Sequence, residues 1–235
     1  MGILRRLLRE LALGDRRTGG SAPAVSTDAP LNPGALDEIA DGARAARAVL
    51  ADAYSRYVAA VSSEDMAISM ETASFLFALC RRIRPSRILD LGSGFSSFAF
   101  RAYAHTTDRR CLVHTVDDDE AWLERTRDFV SREDLAPDGL FAWAQFEEAL
   151  LSDYTLVLHD LGRMPRRSTT VEFAVTCLAP NGVLVLDDMH KPHYASQAEA
   201  VCARAGLRVF SLRSYTLDRF GRFACLALSA TPTVT

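Results

Sequence analysis

The stretch Ile88-Leu89-Asp90-Leu91-Gly92-Ser93-Gly94-Phe95-Ser96-Ser97 decides how the rest of the chain is read. Ile88 to Leu91 is a short apolar run suited to a buried strand, and Ser97 to Ala104 continues as a helix. Between them, Gly92 and Gly94 let the backbone turn sharply and let a ligand approach where a Cβ would block it. Such a turn by itself is shared by nucleotide-binding folds of several chemistries. Two neighbours narrow it. In a dinucleotide site a third glycine permits close helix packing, and here Ser97 stands in that place. Asp90, just ahead of the first glycine, opposes a pyrophosphate but suits a ligand that carries positive charge.

Downstream of this turn, apolar runs and helical stretches alternate. Strands are expected at Cys111–Val116, Leu140–Ala144, Tyr154–His159 and Val183–Leu186, and helices at Ala121–Val130, Thr169–Leu178 and Ser196–Ala205, the last stopped by Gly206. The alternation predicts an α/β architecture, a parallel sheet with helices on both faces. Leu207–Leu212 and Phe223–Leu228 read as strands with no helix between them and a turn at Asp218–Gly221, an antiparallel hairpin at the sheet edge. Upstream, Ala35–Ala60 is Ala-rich and helical. Ser69 caps a second helix with Glu71 in its first turn, and Pro85 ends it. At the N-terminus, Ile3, Leu4, Leu7, Leu8 and Leu11 recur at helical spacing opposite Arg5, Arg6 and Arg9. This reads as a packing helix at a dimer or domain surface, with a membrane surface as the alternative. The chain thus divides into a basic amphipathic helix and flexible linker (1–34), a helical cap (35–84) and an α/β domain (85–235).

Composition narrows the partners. A net charge of −3 over 235 residues gives no general reason to bind nucleic acid. No apolar run approaches the ~20 residues of a membrane span, and the charges in the first ten residues break any signal-peptide core. Five scattered cysteines read as reduced thiols, and a cytoplasmic location is expected.

The second strand ends in Val116-Asp117, where an acid accepts hydrogen bonds from both hydroxyls of a ribose while Asp118 or Asp119 caps the next helix. Asp90-Leu91-Gly92-Ser93-Gly94 followed by Val116-Asp117 resembles the cofactor half of class I methyltransferases, and the terminal hairpin is the feature by which that family's sheet departs from the dinucleotide-binding fold. The resemblance runs from about Met66 to Leu228, with Ser96 in the place of the family's third glycine. It implies a Rossmann-like, mostly parallel seven-stranded sheet and S-adenosyl-L-methionine as cofactor, held by Asp90, Gly92, Ser93, Gly94, Asp117 and Asp160. That cofactor has a sulfonium, an ammonium and no phosphate.

Two further strand ends, Leu156-Val157-Leu158-His159-Asp160 and Leu184-Val185-Leu186-Asp187-Asp188, should meet at the same crevice. Three carboxylates brought together are costly unless a cation compensates them, and Mg²⁺ or another divalent ion is the economical answer. The arrangement is similar to catechol- and caffeoyl-CoA-type O-methyltransferases, which implies a metal at Asp160, Asp187 and Asp188 and a hydroxyl on a small molecule as methyl acceptor. Asp188 stands where that group has an amide, and Arg163 stands where it has a proton-removing lysine. The substitutes nearby are His190 first and His193 second, with Lys191, the only lysine among 27 basic residues, between them. Arg163, Arg166 and Arg167 either grip an acidic acceptor or line a solvated loop, and Trp143 and Phe146 either stack on adenine or fill the core. A non-catalytic protein that keeps the fold and uses its surface for a partner is the second reading, and the turn at Gly92 argues against a nicotinamide oxidoreductase.

Overall fold

A computed structural model describes residues 33–107, 110–149 and 151–230. The amphipathic segment and most of the linker expected at 1–34 lie outside the described residues. After a 3₁₀ turn at Pro33–Ala35 the elements are α1 (Leu36–Ala60), α2 (Met70–Ile83), β1 (Arg87–Leu91), α3 (Phe95–Thr106), β2 (Leu112–Asp117), α4 (Glu120–Arg132), β3 (Leu140–Ala142), α5 (Trp143–Ala149), β4 (Tyr154–His159), α6 (Met164–Thr176), β5 (Leu178–Leu186), α7 (Pro192–Arg204), β6 (Leu207–Ser211), α8 (Arg213–Thr216) and β7 (Cys225–Ser229). They form a seven-stranded sheet in the order β3-β2-β1-β4-β5-β7-β6, parallel except for β7, which runs antiparallel to both β5 and β6.

Both faces of this sheet are apolar, and the two-residue period of a strand divides them. Ile88, Leu156, Leu158, Val183 and Val185 pack under α1, α2 and α3, while Leu89, Leu91, Val157, Leu184 and Leu186 pack under α5, α6 and α7. Most of these side chains are fully buried, each stabilising the fold by about 1.5–3 kcal/mol. The cap helices share the first core: Leu50, Tyr57, Phe75 and Leu79 are at or near zero exposure within it. Ser69 caps α2 as expected, its hydroxyl accepting from the Thr72 amide at 3.0 Å. The chain leaves α2 through Arg84, in the left-handed conformation one residue before Pro85.

Several boundaries differ from those expected, each for a local reason. Helices α6 and α7 start earlier, because Pro165 and Pro192 sit in their first turns, where a missing N–H costs nothing. The third strand is cut to three residues and followed at once by helix α5, where a strand through Ala144 is expected. Strand β5 extends back to Leu178 through an irregularity opposite Tyr154 and Leu156, with Asn181 at φ 59°. The terminal hairpin does contain a helix, the single turn α8, and it is β7 that enters the sheet beside β5, leaving β6 at the edge. No helix among the described residues is long and apolar enough to cross a membrane.

Candidate active site

The strand order reverses between β1 and β4, so the carboxyl ends of β1, β2, β4 and β5 open onto one crevice. The glycine turn occupies one side of it. Gly92 has φ +108°, and a Cβ there would fall 2.5 Å from the Asp160 carbonyl oxygen. The glycine is therefore needed for the close passage of two strand ends, with no space left for a ligand at that point. Gly94 is buried too, but a Cβ there would press on side chains and not on backbone: the Tyr57 hydroxyl at 3.2 Å, a tight contact, and the Trp122 indole nitrogen at 3.9 Å.

Behind this turn Asp90 is wholly buried. One of its oxygens accepts from the Ser97 hydroxyl at 2.6 Å and the Thr115 hydroxyl at 3.1 Å, and Ser97 in turn accepts from the Gly94 amide at 3.1 Å. The other oxygen, Oδ1, has no hydrogen-bond partner among the described residues. Burial pushes the Asp90 carboxyl up to about 6, against the pull of these hydroxyls and of Arg101. Arg101 is bonded to Thr115 and to the Ser97 and Asp138 carbonyls rather than to the carboxylate itself.

Asp117 closes the other wall. Its Oδ2 accepts from both the backbone amide and the hydroxyl of Ser93, each at 2.6 Å, and Oδ1 accepts from the Asp119 amide at 3.0 Å, which leaves Oδ1 capacity for a further donor. Burial raises this carboxyl as well. Asp119 caps α4 through the Trp122 amide, and the Trp122 indole donates to the Ser93 carbonyl at 2.7 Å, holding the turn in place.

At the β4–β5 side the three acids are present, but a guanidinium holds two of them. Arg167, on α6 and only 8% exposed, lies 2.6 Å from Asp160 Oδ1 and 2.6 Å from Asp188 Oδ2. It also donates to the carbonyls of Asp160 and Gly162. Lys191 adds a second cation, its Nζ 2.8 Å from Asp188 Oδ2. Against the cost of burial, Arg167 and Lys191 hold Asp188 below the usual carboxylate range. Asp187 takes no ion pair from a described residue, and burial and the Asp188 charge push it up to about 6.

The metal expected at Asp160, Asp187 and Asp188 finds no support in this arrangement. Among the described residues no group of three His, Cys, Asp or Glu side chains is placed to hold a metal ion. The positive charge that the acids require is supplied by Arg167, whose donors point at the oxygens an Mg²⁺ would need. The donor set does not fit a divalent cation.

The proposed bases fall differently. His190 is a quarter exposed, with Nδ1 3.5 Å from Asp188 Oδ1 and without a hydrogen bond; burial lowers its pKa, so the ring is neutral near pH 7. Lys191 is committed to Asp188. His193 is exposed on the first turn of α7.

Of the other residues singled out, Phe146 is fully buried in the core. Trp143 packs against Phe173 at 4.8 Å with the Arg166 guanidinium 4.6 Å from its ring centre, so both residues serve packing and not adenine stacking. Arg163 is exposed, whereas Arg167 is an internal counter-ion. Tyr57 and Trp122 also border the crevice beside Gly94, although no motif in the sequence points to either.

No protein-family model and no curated protein matches the chain. Solved structures do. The chain is similar to cofactor-bound Rv0187 from MTB (20% identity, TM-score 0.59, covering 85% of this chain and 98% of that one). It is also similar to the O-methyltransferase TomG from Streptomyces achromogenes, solved with SAM (16% identity, TM-score 0.57, 97% and 99%). A third likeness is to an O-methyltransferase from Bacillus cereus in complex with SAH (14% identity, TM-score 0.55, 94% and 98%). The fold is that of class I S-adenosylmethionine-dependent methyltransferases.

Proposed function

We propose that the protein is an S-adenosylmethionine-dependent methyltransferase that acts on a hydroxyl group of a small molecule, without a metal. The observation that carries the cofactor assignment is the glycine turn walled by Asp90 and Asp117, both buried and held by neutral hydroxyl and amide donors, with Asp90 Oδ1 left unpaired. No basic side chain among the described residues neutralises either carboxylate directly. Such a cradle rejects phosphate and favours a cationic ligand. Asp117 Oδ1 accepts one hydrogen bond and keeps the capacity to accept another from a ribose hydroxyl. The presence of SAM in TomG and of SAH in the Bacillus cereus enzyme supports the same ligand here.

The cofactor supplies a methyl group already activated by its sulfonium charge. What falls to the protein is to align the acceptor oxygen for in-line attack and to remove its proton. His190 is the residue placed to take that proton. It is neutral near pH 7, partly exposed, and next to the Asp188 carboxylate, which stabilises the imidazolium that forms on accepting a proton. Asp188 is itself fixed by Arg167 and Lys191, so we assign Lys191 to positioning and leave His193 as the weaker candidate.

The test is methyl release from labelled S-adenosylmethionine to a panel of hydroxylated and amino acceptors, with and without a chelator. Transfer to hydroxyls that survives chelation supports the reading. Activity that appears only with added Mg²⁺ contradicts the role given to Arg167, and transfer confined to amines contradicts O-methylation.

A further inference from the structure

A cavity of about 410 Å³ lies between α1, the start of α2 and the 217–224 loop, and neither the glycine turn nor Asp90 nor Asp117 lines it. Its size is that of a pocket for a small organic molecule. Its position ties it to both sides of the crevice. The Tyr54 ring on its wall stands edge-on to Phe95 at 4.9 Å, and Phe95 follows Gly94 of the glycine turn. On the far side, the 217–224 loop is bonded to the segment that carries His190, through the Met189 amide and the Phe223 carbonyl at 3.0 Å.

The loop is held rigidly in this place. Arg222 donates to Asp218 and to the carbonyls of Glu64, Asp65 and Ala67, which fastens the 217–224 loop to the turn that leads into α2. Its donors are spent on structure. The cations at the rim are different: Arg47 uses one nitrogen on Glu71 and Arg219 one nitrogen on Glu64, and both side chains are more than half exposed. Each therefore keeps unused N–H donors of the fork that recognises a carboxylate. Because each arginine is matched by a glutamate, the rim has no surplus charge for a dianionic phosphate. A monoanion fits by exchanging with one glutamate.

Two aromatic surfaces complete the pocket. Tyr54 is buried except toward the cavity, and its hydroxyl makes no hydrogen bond to another described residue. Phe220 is 45% exposed at the rim, a large apolar ring left in solvent. Its neighbours Arg219 and Arg222 lie over it at 4.9 and 5.2 Å.

We propose that this cavity is the methyl-acceptor pocket and that it takes a planar hydroxylated aromatic acid, its ring between Tyr54 and Phe220 and its carboxylate on Arg47 and Arg219. That the bound acid is a methyl acceptor rests on the methyltransferase reading, but the ligand class follows from the cavity alone.

The experiment is calorimetry on the full chain with 4-hydroxycinnamate and with its methyl ester, each with and without S-adenosylhomocysteine. The acid binds, and the ester binds at least about tenfold more weakly, the loss expected for one charge-assisted hydrogen-bonded contact. Arg47→Gln and Arg219→Gln together, both at exposed positions, abolish the preference for the acid. Phe220→Ala weakens acid and ester alike, and all three changes leave the S-adenosylhomocysteine affinity as it was. Equal binding of acid and ester, no binding of either at millimolar concentration, or a preference that survives the double substitution overturns the proposal. Failure of S-adenosylhomocysteine to bind the native chain overturns the methyltransferase reading instead, because the acid–ester comparison without it still decides the chemistry of the cavity.

Discussion

At the β1–β2 end of the crevice, Asp90 and Asp117 are held by serine and threonine hydroxyls and backbone amides. At the β4–β5 end, Asp160 and Asp188 are held by the guanidinium of Arg167, with Lys191 beside it. Neutral donors stabilise a carboxylate without cancelling its charge, so the first end keeps a negative field for a cationic ligand. An ion pair cancels most of that field, so at the second end Arg167 takes the place of an outside cation, and the imidazole proposed as the base lies beside it. The same residue type, placed at equivalent strand ends, does two kinds of work according to what donates to it.

The comparison breaks most visibly at Arg167. Arg167→Met removes the cation and leaves buried carboxylates without compensation, a loss of about 3–5 kcal/mol in stability. The abandoned acids then favour their protonated forms, so the loss measured by denaturant unfolding is smaller at pH 5 than at pH 8. Equal stability of the variant at both values would show that Arg167 is not their counter-ion.

Next in size is His190. His190→Gln should lower kcat by about 100- to 10,000-fold, the range for a lost general base. In the native protein burial holds the His190 pKa below its usual value, so if His190 is the base the rate should rise with pH through that lower value and be flat by pH 7. The variant loses this limb. A profile that keeps it assigns the proton transfer elsewhere.

How much of this was legible beforehand depended on how local the cause was. The strand–turn–helix at Asp90 to Ser97, the Ser69 cap and the capping of α4 by Asp119 are settled by residues within a few positions of one another. The expected metal finds no support because its premise was incomplete: the acids do need a cation, and the chain supplies one from a helix. A signal was present, since Arg167, Thr170, Val171 and Ala174 share the buried face of α6 at helical spacing, which turns Arg167 inward and leaves Arg163 outside. Tyr57 carries no such signal. It lies in an Ala-rich helix far from the glycine turn in sequence, and only tertiary packing brings its hydroxyl beside Gly94. The reason for Gly92 was likewise out of reach, because the Asp160 carbonyl that forbids a Cβ comes from another strand.

At the cofactor end the effects are smaller. Asp117→Ala removes the acceptor for Ser93 and for a ribose hydroxyl, and should weaken S-adenosylmethionine binding by about 10- to 100-fold, the equivalent of one or two hydrogen bonds to a charged group. An unchanged affinity would remove the ribose role. The pH effect is smaller still. Asp90 has its carboxyl raised to about 6 by burial, so it is largely protonated at pH 5 and ionised at pH 7.5. A cationic ligand binds the ionised form better, and affinity should therefore rise about five- to tenfold between those values and level off above. An affinity that falls over this range would mean that the carboxylate does not face the cation.

The claim on which the rest depends is that the turn from Asp90 to Ser97, with Asp117, receives a cationic nucleoside that has no phosphate, and does so without a metal. Competition calorimetry on the full chain in the presence of a chelator tests it directly, with S-adenosylmethionine and NAD as the two ligands. The account predicts saturable binding of S-adenosylmethionine that NAD does not displace. Binding of NAD in its place, or binding of S-adenosylmethionine only after Mg²⁺ is restored, would contradict it.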